Sequence, residues 1–500
     1  MLKNLIFILI LVVIGSVIFH LASTRTTRRE VGALPGIVLG SMAAIAFLSP
    51  MLVITHIAIG LLPIVLGRTK VKIAIIVCVG IFALPALSSN LVIGSLWLFQ
   101  WSLQMSLALG ALVAFLIAPG KSASAPPWTD AVMAIVIIIL MITDARGGTL
   151  IGWWRALAYY TFVYAIPVYI VTRSLRNSVE RQTMLTAMAC AGVILAVIVL
   201  YEARGSWPLY ASLGQHYGND LNGIVVKWRG NLMRSYGPMG EATNMGFVLV
   251  ICFAAAFASR RAFVSNTAYI WIVGLIAFGS LAPQSRGGLI GMAVAFIVSS
   301  FYRRGIGSAM QIMAAGLLLT GTYLGATMIA SIGSQLSYSL NEGTGTGNYR
   351  SELLRRGMEE FWKSPVFGDS YTNVVARMQD MIQGEGIVDF VNSYLYFALF
   401  AGGIGLLLFC LSFLIPIFRL ASIRTQLIPG SADRDVAGFC LALLASGAVM
   451  LAFTSYPQRP SIFLLIASGI ALMMRVPRRA AQAAVDKTGP VRLPRDAQAA

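Results

Sequence analysis

The sequence predicts an all-α, polytopic integral membrane protein with about 14 transmembrane helices, in a range of about 12 to 15. Hydrophobic residues make up 58% of the 500 residues and charged residues only 11%, whereas a soluble domain has about 25% charged residues. The mean hydropathy is +0.79. Apolar runs of about 20 residues, long enough to cross a hydrocarbon core of about 30 Å, recur along the chain. The alternating pattern of a membrane barrel is absent from the sequence.

Each apolar run predicts one helix, which ends where charged or turn-forming residues begin. The second run is long enough for two short helices that break at Pro50, because proline cannot donate a helical hydrogen bond. The first run lacks a small-residue cleavage site, so we expect an uncleaved helix. The predicted helices cover Leu2–Leu21, Val31–Gly67, Val71–Leu87, Leu91–Ala118, Ala131–Thr143, Trp154–Val171, Leu185–Tyr201, Ala242–Ala258, Ala268–Leu281, Gly287–Phe301, Met310–Ile332, Phe390–Phe418, Val436–Phe453 and Ile462–Met474.

Basic residues assign the connections to the two sides of the membrane. They concentrate on alternate connections, which the positive-inside rule makes cytoplasmic. The net charge of +18 therefore reflects topology and does not predict a nucleic-acid partner. The basic connections contain Arg25, Arg28, Arg29, Arg68, Lys70, Lys72, Arg173, Arg176, Arg181, Arg260, Arg261, Arg303, Arg304, Arg419, Arg424 and Arg434.

Two long connections, 202–241 and 333–389, lie on the opposite side and contain most of the acidic residues. Loops of this length are usually functional or disordered, so we expect specific chemistry there. The resulting segments are N-terminal transmembrane helices at 1–201, a first periplasmic loop at 202–241, transmembrane helices at 242–332, a large periplasmic loop at 333–389, C-terminal transmembrane helices at 390–475 and a disordered cytoplasmic tail at 476–500.

The second loop contains GNYRSELLRRGMEEFWKSPVFGDS, which predicts an amphipathic helix capped by Asn348. The glycine-rich NEGTGTG before it predicts a flexible lid. Arg350 shares a helical face with apolar residues and should point toward the membrane domain. That face contains Leu353, Leu354, Gly357 and Phe361. The other face predicts two i, i+4 ion pairs, Glu352 with Arg356 and Glu359 with Lys363.

Three arginines of the extracytoplasmic side, Arg234, Arg286 and Arg350, lie at or near the membrane edge of predicted helices. A guanidinium group beside apolar residues in a membrane is costly unless it has a partner or reaches the interface. It keeps its charge and presents a planar fork of donors that fits phosphate oxygens. The alternative is that each arginine only extends to the interface. Together they predict a site for an anionic lipid-linked headgroup, most naturally a diphosphate.

Four stretches resemble, in this order, the signatures of the O-antigen ligase and O-antigen polymerase superfamily. They are RSYGPMGEATNMGFVLV, SRGGLIG, YRSELLRRGMEEFWKSPVFGDS and VDFVNSYLYFALFAGGIGLLLF, and the resemblance covers about 201–418. It implies a glycosyltransferase of the bacterial inner membrane that needs neither cofactor nor metal. The implied donor is an undecaprenyl diphosphate-linked oligosaccharide at the periplasmic face. The implied saccharide acceptor is the lipid A core for ligases and another lipid-linked repeat unit for polymerases.

The resemblance assigns roles to individual residues. Arg286 matches the arginine of the Ser-Arg-Gly motif, Arg234 the arginine of the Arg-x-x-Gly stretch and Arg350 the arginine before the loop helix. Where the ligases carry His-Asn after the large loop, this chain has Val391 before Asn392. The missing histidine favours a polymerase over a ligase. A polymerase implies a chain-length regulator and a flippase as partner proteins, beside the lipid bilayer.

The reaction requires an acceptor hydroxyl that attacks the anomeric carbon while the diphosphate leaves. Arginines can position the diphosphate and stabilise its charge. Glu241 and Asp389 are the candidate general bases, and pairing with the arginines is their alternative role. Asn392, Tyr394 and Tyr349 are candidate ligands of the saccharide or the phosphate, although Tyr394 could equally be an interfacial anchor.

Two other readings are weaker. A lipid-linked oligosaccharide flippase would place cationic residues deep along a central cavity, whereas these arginines gather at one side. Asp433-Arg434-Asp435 has the spacing with which nucleotide-sugar transferases hold a metal, but it lies in a short basic cytoplasmic connection, so we predict no metal site. The five cysteines stand singly in apolar runs, which predicts packing and no disulfide frame.

Overall fold

The structure is a computed structural model that describes residues 1–94, 96–218, 226–229, 232–304, 336–382, 387–456 and 458–474. Helices α1 to α11 are Leu2–Ala22, Arg25–Glu30, Leu34–Leu48, Leu52–Leu66, Lys70–Ala83, Leu103–Ile117, Pro127–Ala145, Leu150–Tyr160, Ile166–Ser174, Ser178–Gly205 and Ser212–His216. Helices α12 to α19 are Ala242–Ala258, Asn266–Gly279, Arg286–Arg304, Leu336–Phe361, Tyr371–Arg377, Ser393–Ile423, Ala432–Leu451 and Gln458–Met473.

The helices form a membrane protein. Five of those described, α1, α7, α10, α17 and α18, are long and apolar enough to cross a membrane, and six shorter apolar helices accompany them. Large apolar side chains such as Val65, Trp271 and Phe418 remain 66%, 74% and 69% exposed, which suits a surface covered by lipid. The predicted helix Met310–Ile332 and the predicted tail 476–500 lie outside the described residues.

Two predictions about helices in the N-terminal half of the chain have opposite outcomes. The break at Pro50 is confirmed, since it separates α3 from α4. The helix predicted for Leu91–Ala118 is wrong over its first part, because Ser88–Ile93 (β1) and Leu96–Ser102 (β2) form an antiparallel hairpin. Gly94 has a φ of +60° in the turn. The aromatic and β-branched residues of this run favour strands. The prediction failed because the periodicity of a short apolar run does not distinguish a strand from a buried helix.

The connections between helices gather at two opposite faces of the bundle. At one, Thr24 N donates to Ala262 O (2.9 Å) and Arg424 Nε donates to Tyr302 O (3.2 Å). This basic face contains 23–33, 259–265, 302–304 and 424–434. The opposite loop face contains the described parts of 84–102, 146–149, 206–241, 280–286, 336–392 and 452–458. Four of the basic connections that the sequence groups on one side therefore share one face, where 23–33 contacts 259–265 and 302–304 contacts 424–434.

The second long connection forms a small folded body on the loop face, which we call the loop unit (349–382 and 387–392). Leu353 of α15 is buried there with Val374, Met378 and Phe390. Of the predicted apolar face, Leu353 and Gly357 are buried and Phe361 is half-buried. Leu354, by contrast, is 49% exposed, so the predicted apolar stripe is wrong at that position.

Helix α15 also differs from its prediction at its start. It begins at Leu336, so Asn348 lies inside the helix and does not cap it. The segment predicted as a flexible lid belongs to the same helix. An asparagine inside a helix costs at most about 0.7 kcal/mol relative to alanine, which a helix of 26 residues can accommodate.

The predicted ion pairs of α15 are wrong. Arg356 pairs with Asp380 (2.9 Å) and with Glu359 (3.0 Å) instead of Glu352. Asp380, in the turn after α16, accepts two hydrogen bonds from the Arg356 guanidinium, and this draws Arg356 away from Glu352. Arg355 takes its place beside Glu352. Lys363 pairs with Glu360 instead of Glu359.

Candidate functional site

Arg286 lies on the loop face as the first residue of α14 and is exposed. Its side chain makes no hydrogen bond or ion pair with any residue that the structure describes. The two glycines after it let neighbouring segments come close: a Cβ at Gly287 would lie 3.4 Å from Thr454 Cγ2, and one at Gly288 would lie 3.3 Å from Gly246 Cα. A free guanidinium at a helix N-terminus, where backbone N–H groups also point outward, favours an anion.

Arg350 reaches the same region from the loop unit. Its Nη2 donates to the carbonyl oxygen of Phe453 at 3.4 Å. Arg350 therefore contacts the connection between α18 and α19, but its side chain remains exposed, so the prediction that it turns from water toward the membrane domain is met only in part. Because Gly287 also packs against Phe453 and Thr454, Arg286 and Arg350 flank one short connection, 452–456.

Arg234 belongs to the first long loop, which lies along the connection before Arg286. Its Nε donates to Pro283 O at 3.2 Å, and Arg229 Nη1 donates to Gln284 O at 2.6 Å. Burial lowers the pKa of Arg234, the charge of Arg229 lowers it further, and Glu241 raises it. The structure therefore brings the three predicted arginines to two adjoining connections, 280–286 and 452–456.

Glu202 positions the loop that contains Arg234. It is fully buried at the end of α10. Its carboxylate accepts hydrogen bonds from Ser235 Oγ (2.5 Å), Gly237 N (2.9 Å) and Leu209 N (3.0 Å). The sequence distinguishes Glu202 only as one acidic residue among several in the loop. Its organising role depends on donors up to 35 residues away, which no local pattern reveals.

The two candidate bases lie in different surroundings. Glu241 is exposed at the N-cap position of α12 without forming a side-chain cap. It lines a small cleft together with Arg234 and Tyr236. Asp389 is half-buried, and its Oδ1 accepts a hydrogen bond from Ser455 Oγ at 2.6 Å. Glu241 is therefore the more accessible carboxylate.

The three candidate substrate ligands each have a structural partner. Asn392 Oδ1 accepts hydrogen bonds from two backbone N–H groups in the first turn of α17, at 3.0 and 3.2 Å. Tyr394 Oη donates to Ala448 O at 2.7 Å. Tyr349 Oη lies 3.2 Å from Asp389 O and 3.1 Å from Asp389 N. Binding of a saccharide or phosphate by these three residues stays a prediction.

A cavity of about 400 Å³ opens on the same face and was not predicted from the sequence. Asp144, Arg155 and Arg459 line it together with the rings of Trp97 and Tyr159. The Arg155 guanidinium lies 3.9 Å from the centroid of the Trp97 ring. Arg459, near the start of α19, follows the connection that Arg286 and Arg350 flank. An aromatic wall with a few polar groups is typical of a small-molecule site.

The cavity is linked to the cleft of Arg234 and Glu241 through one short segment. Ala86 and Leu87 line the cavity, and a Cβ at Gly240 would lie 2.8 Å from Ala86 Cβ. Gly240 directly precedes Glu241 and lines the cleft. The cavity and the arginine cluster are therefore neighbouring parts of one face. The sequence signals that could have indicated the cavity are Asp144 and Arg459, charged residues beside apolar runs.

No known protein family matches the chain, and no curated protein matches it either. Within the described ranges, no group of three His, Cys, Asp or Glu residues is placed to hold a metal ion. The site is thus defined by its own geometry: an exposed arginine at a helix N-terminus, two further arginines on adjoining segments, an accessible carboxylate and a neighbouring cavity.

Proposed function

We propose that the protein is a bacterial polysaccharide polymerase of the inner membrane that joins undecaprenyl diphosphate-linked oligosaccharide repeat units at the periplasmic face. The product would be an O-antigen, a capsule or an exopolysaccharide. The observation that supports the proposal most is the convergence of Arg286 and Arg350 on the 452–456 connection, with Arg234 on the adjoining one. The resemblance of the loop and helix signatures to the O-antigen ligase and polymerase superfamily supports it independently.

In this proposal the arginines bind the diphosphate of the donor. Arg286 and Arg350 hold its oxygens, and Arg234 adds charge from the first loop. Glu241 accepts the proton of the attacking acceptor hydroxyl. The bond between the anomeric carbon and the diphosphate oxygen then breaks, and undecaprenyl diphosphate leaves with its charge stabilised by the guanidinium groups. The neighbouring cavity accommodates the saccharide.

An O-antigen ligase that transfers glycan to the lipid A core or to protein is the alternative function. Val391 occupies the position of the ligase histidine, and its side chain packs against the apolar cluster of the loop unit. An apolar group in that place cannot accept or donate a proton, and this favours the polymerase. A lipid-linked oligosaccharide transporter is less well supported.

Deletion of the gene separates these functions. Loss of long chains with single repeats retained on the lipid A core would support the polymerase. Full-length lipid-linked polymer without its acceptor would support the ligase. Unchanged glycan with precursor accumulating at the cytoplasmic face would contradict both and indicate transport.

Substitution of Arg286 tests the site. We expect Arg286→Ala to lower the polymerisation rate about 100-fold, the effect of removing one donor that stabilises developing charge. Arg286→Lys should recover only part of the rate, because lysine lacks the planar fork. Arg204→Ala is the matched control, since Arg204 is exposed at the end of α10 on the same face. Normal polymer length and yield in a properly inserted Arg286→Ala protein would refute the assignment.

A further inference from the structure

The basic face contains a second cavity, of about 430 Å³, formed where α12, α13, α14 and α18 end or begin. Its volume lies in the range of about 300–1,000 Å³ typical of ligand sites. It is lined by Arg260, Arg261, Arg303, Gly430, Arg434 and Asp435. Four guanidinium groups and one carboxylate therefore face a common space.

The single carboxylate does not neutralise the arginines. Asp435 is buried, with Arg261 Nε at 3.6 Å and Arg303 Nε at 3.8 Å from its oxygens. Both distances exceed the 2.7–3.2 Å of a hydrogen bond. The Arg260 side chain is exposed and has no hydrogen-bond or ion-pair partner in the part of the chain that the structure describes. The lining residues that the structure describes, four arginines and one aspartate, thus carry a net formal charge of +3.

Protein contacts hold two of these guanidinium groups in place. Arg303 Nη1 donates to Phe257 O at 3.0 Å and to Tyr269 Oη at 3.3 Å. Arg434 donates from two nitrogens to Tyr302 O, at 3.3 and 3.2 Å. Like charges fixed near one another repel, and a bound anion relieves this repulsion. Guanidinium groups suit phosphate oxygens in particular.

Exposed apolar residues on the segments that form the cavity indicate where the phosphate comes from. Val264, three residues after Arg261, is 58% exposed, and Ile428, two residues before Gly430, is 60% exposed. Trp271 on α13 is 74% exposed. Exposed apolar residues next to a cationic cavity suit the acyl chains and the headgroup of a phospholipid. Basic pockets between helices at the cytoplasmic side of a membrane bind such headgroups.

We propose that this cavity binds the phosphate groups of an anionic phospholipid from the adjoining leaflet. The proposal is independent of the glycosyltransferase function. The net charge of +3 on the described lining residues suits a headgroup with two phosphates better than a headgroup with a single phosphate. We therefore expect cardiolipin to bind more tightly than phosphatidylglycerol and phosphatidylethanolamine to bind least.

Native mass spectrometry of the purified full-length protein with each of these three lipids tests the proposal. Arg260→Gln combined with Arg261→Gln should weaken cardiolipin binding about tenfold, which corresponds to about 1.4 kcal/mol. Arg25→Gln combined with Arg29→Gln is the matched control, because both residues are exposed on α2 of the same face. Equal cardiolipin retention by the wild type, the cavity variant and the control would overturn the proposal.

Asp435→Asn provides a test in the opposite direction. Among the described residues it removes the only carboxylate that lines the cavity, so cardiolipin should bind more tightly than to the wild type. Weaker or unchanged binding in a protein that still folds would contradict an anion site. Competition with inorganic diphosphate identifies the source of the phosphate. Binding of diphosphate without any binding of cardiolipin would overturn the phospholipid as the ligand, whereas displacement of cardiolipin by diphosphate would support it.

Discussion

Gly402 lies where the loop unit contacts the membrane helices, and we expect its replacement by alanine to destabilise this contact. Helix α17 is broken at Gly402, which has a φ of +70° and a ψ of −173°. Backbone groups freed by the break pair with the loop: Gly403 N donates to Pro365 O (2.8 Å), and Asp369 N donates to Leu399 O (2.9 Å). This conformation is essentially restricted to glycine.

The structure gives the size of the effect. A Cβ at Gly402 would lie 2.3 Å from Val366 O and 2.5 Å from Gly368 N. Both contacts are with backbone, so no flexible side chain can move away. Strain at positive φ costs about 1–2 kcal/mol, overpacking about 1–3 kcal/mol, and each lost hydrogen bond about 1 kcal/mol. With both of these hydrogen bonds lost, we expect Gly402→Ala to destabilise the docked loop unit by about 4–7 kcal/mol.

Limited proteolysis of the purified protein measures this docking, since an undocked loop unit exposes its backbone to cleavage. Gly402→Ala should be cut within 349–382 much faster than the wild type. Polymer formation should also fall, because Arg350 belongs to the loop unit. Gly274→Ala on α13 is the control: a Cβ there meets nothing within 4 Å, and alanine favours a helix by about 1 kcal/mol. Cleavage of Gly402→Ala at the rate of this control would refute the reasoning.

Two further predictions concern the loop face. Glu202→Gln places an amide where three donors converge. We expect it to lose about 1–3 kcal/mol in stability, measured as a lower Tm. Glu180→Gln, on the same helix but at the basic face, is the control and should leave polymer formation unchanged. Hydrogen bonding from Asn373 and pairing with Arg377 hold the pKa of Asp369 below its ordinary value. Its contribution to stability is complete above the unfolded pKa of about 3.9 and is lost as pH falls through the lower folded pKa. Pepsin cleavage of the loop unit, divided by its cleavage of an unfolded peptide at the same pH, should therefore be faster at pH 2.5 than at pH 5, and Asp369→Asn should reduce this pH dependence.

Some features of the fold follow from local chemistry and others do not. Pro50 interrupts a helix wherever it lies, so its effect could be predicted from the sequence alone. The hairpin of β1 and β2 could not be predicted in this way. The run from Leu91 to Ser102 is apolar, and its pattern does not distinguish the period of a helix from that of a strand. The ion pairs of α15 failed for a different reason: Asp380 competes for Arg356 from outside the helix, and helical spacing contains no information about that neighbour.

The candidate site also combines features that the sequence indicates with features that depend on distant contacts. Arg234, Arg286 and Arg350 could be singled out from the sequence because each lies at or near the edge of an apolar run on the side opposite the basic connections. Their common location depends on 452–456, a connection without charged residues that the sequence does not distinguish. Arg350 bonds to Phe453 O and Asp389 bonds to Ser455 Oγ.

The same connection receives a third contact, because Ser393 Oγ donates to Thr454 O at 2.8 Å. Gly287 packs against Thr454 from the side of α14. A displacement of this connection would therefore move Gly287, Arg350 and the start of α17 together. Residues that perform the chemistry can be identified from their type, whereas a segment that positions them can be identified only from the contacts it makes. This is why an uncharged turn of the chain contributes as much to the proposed site as its three arginines.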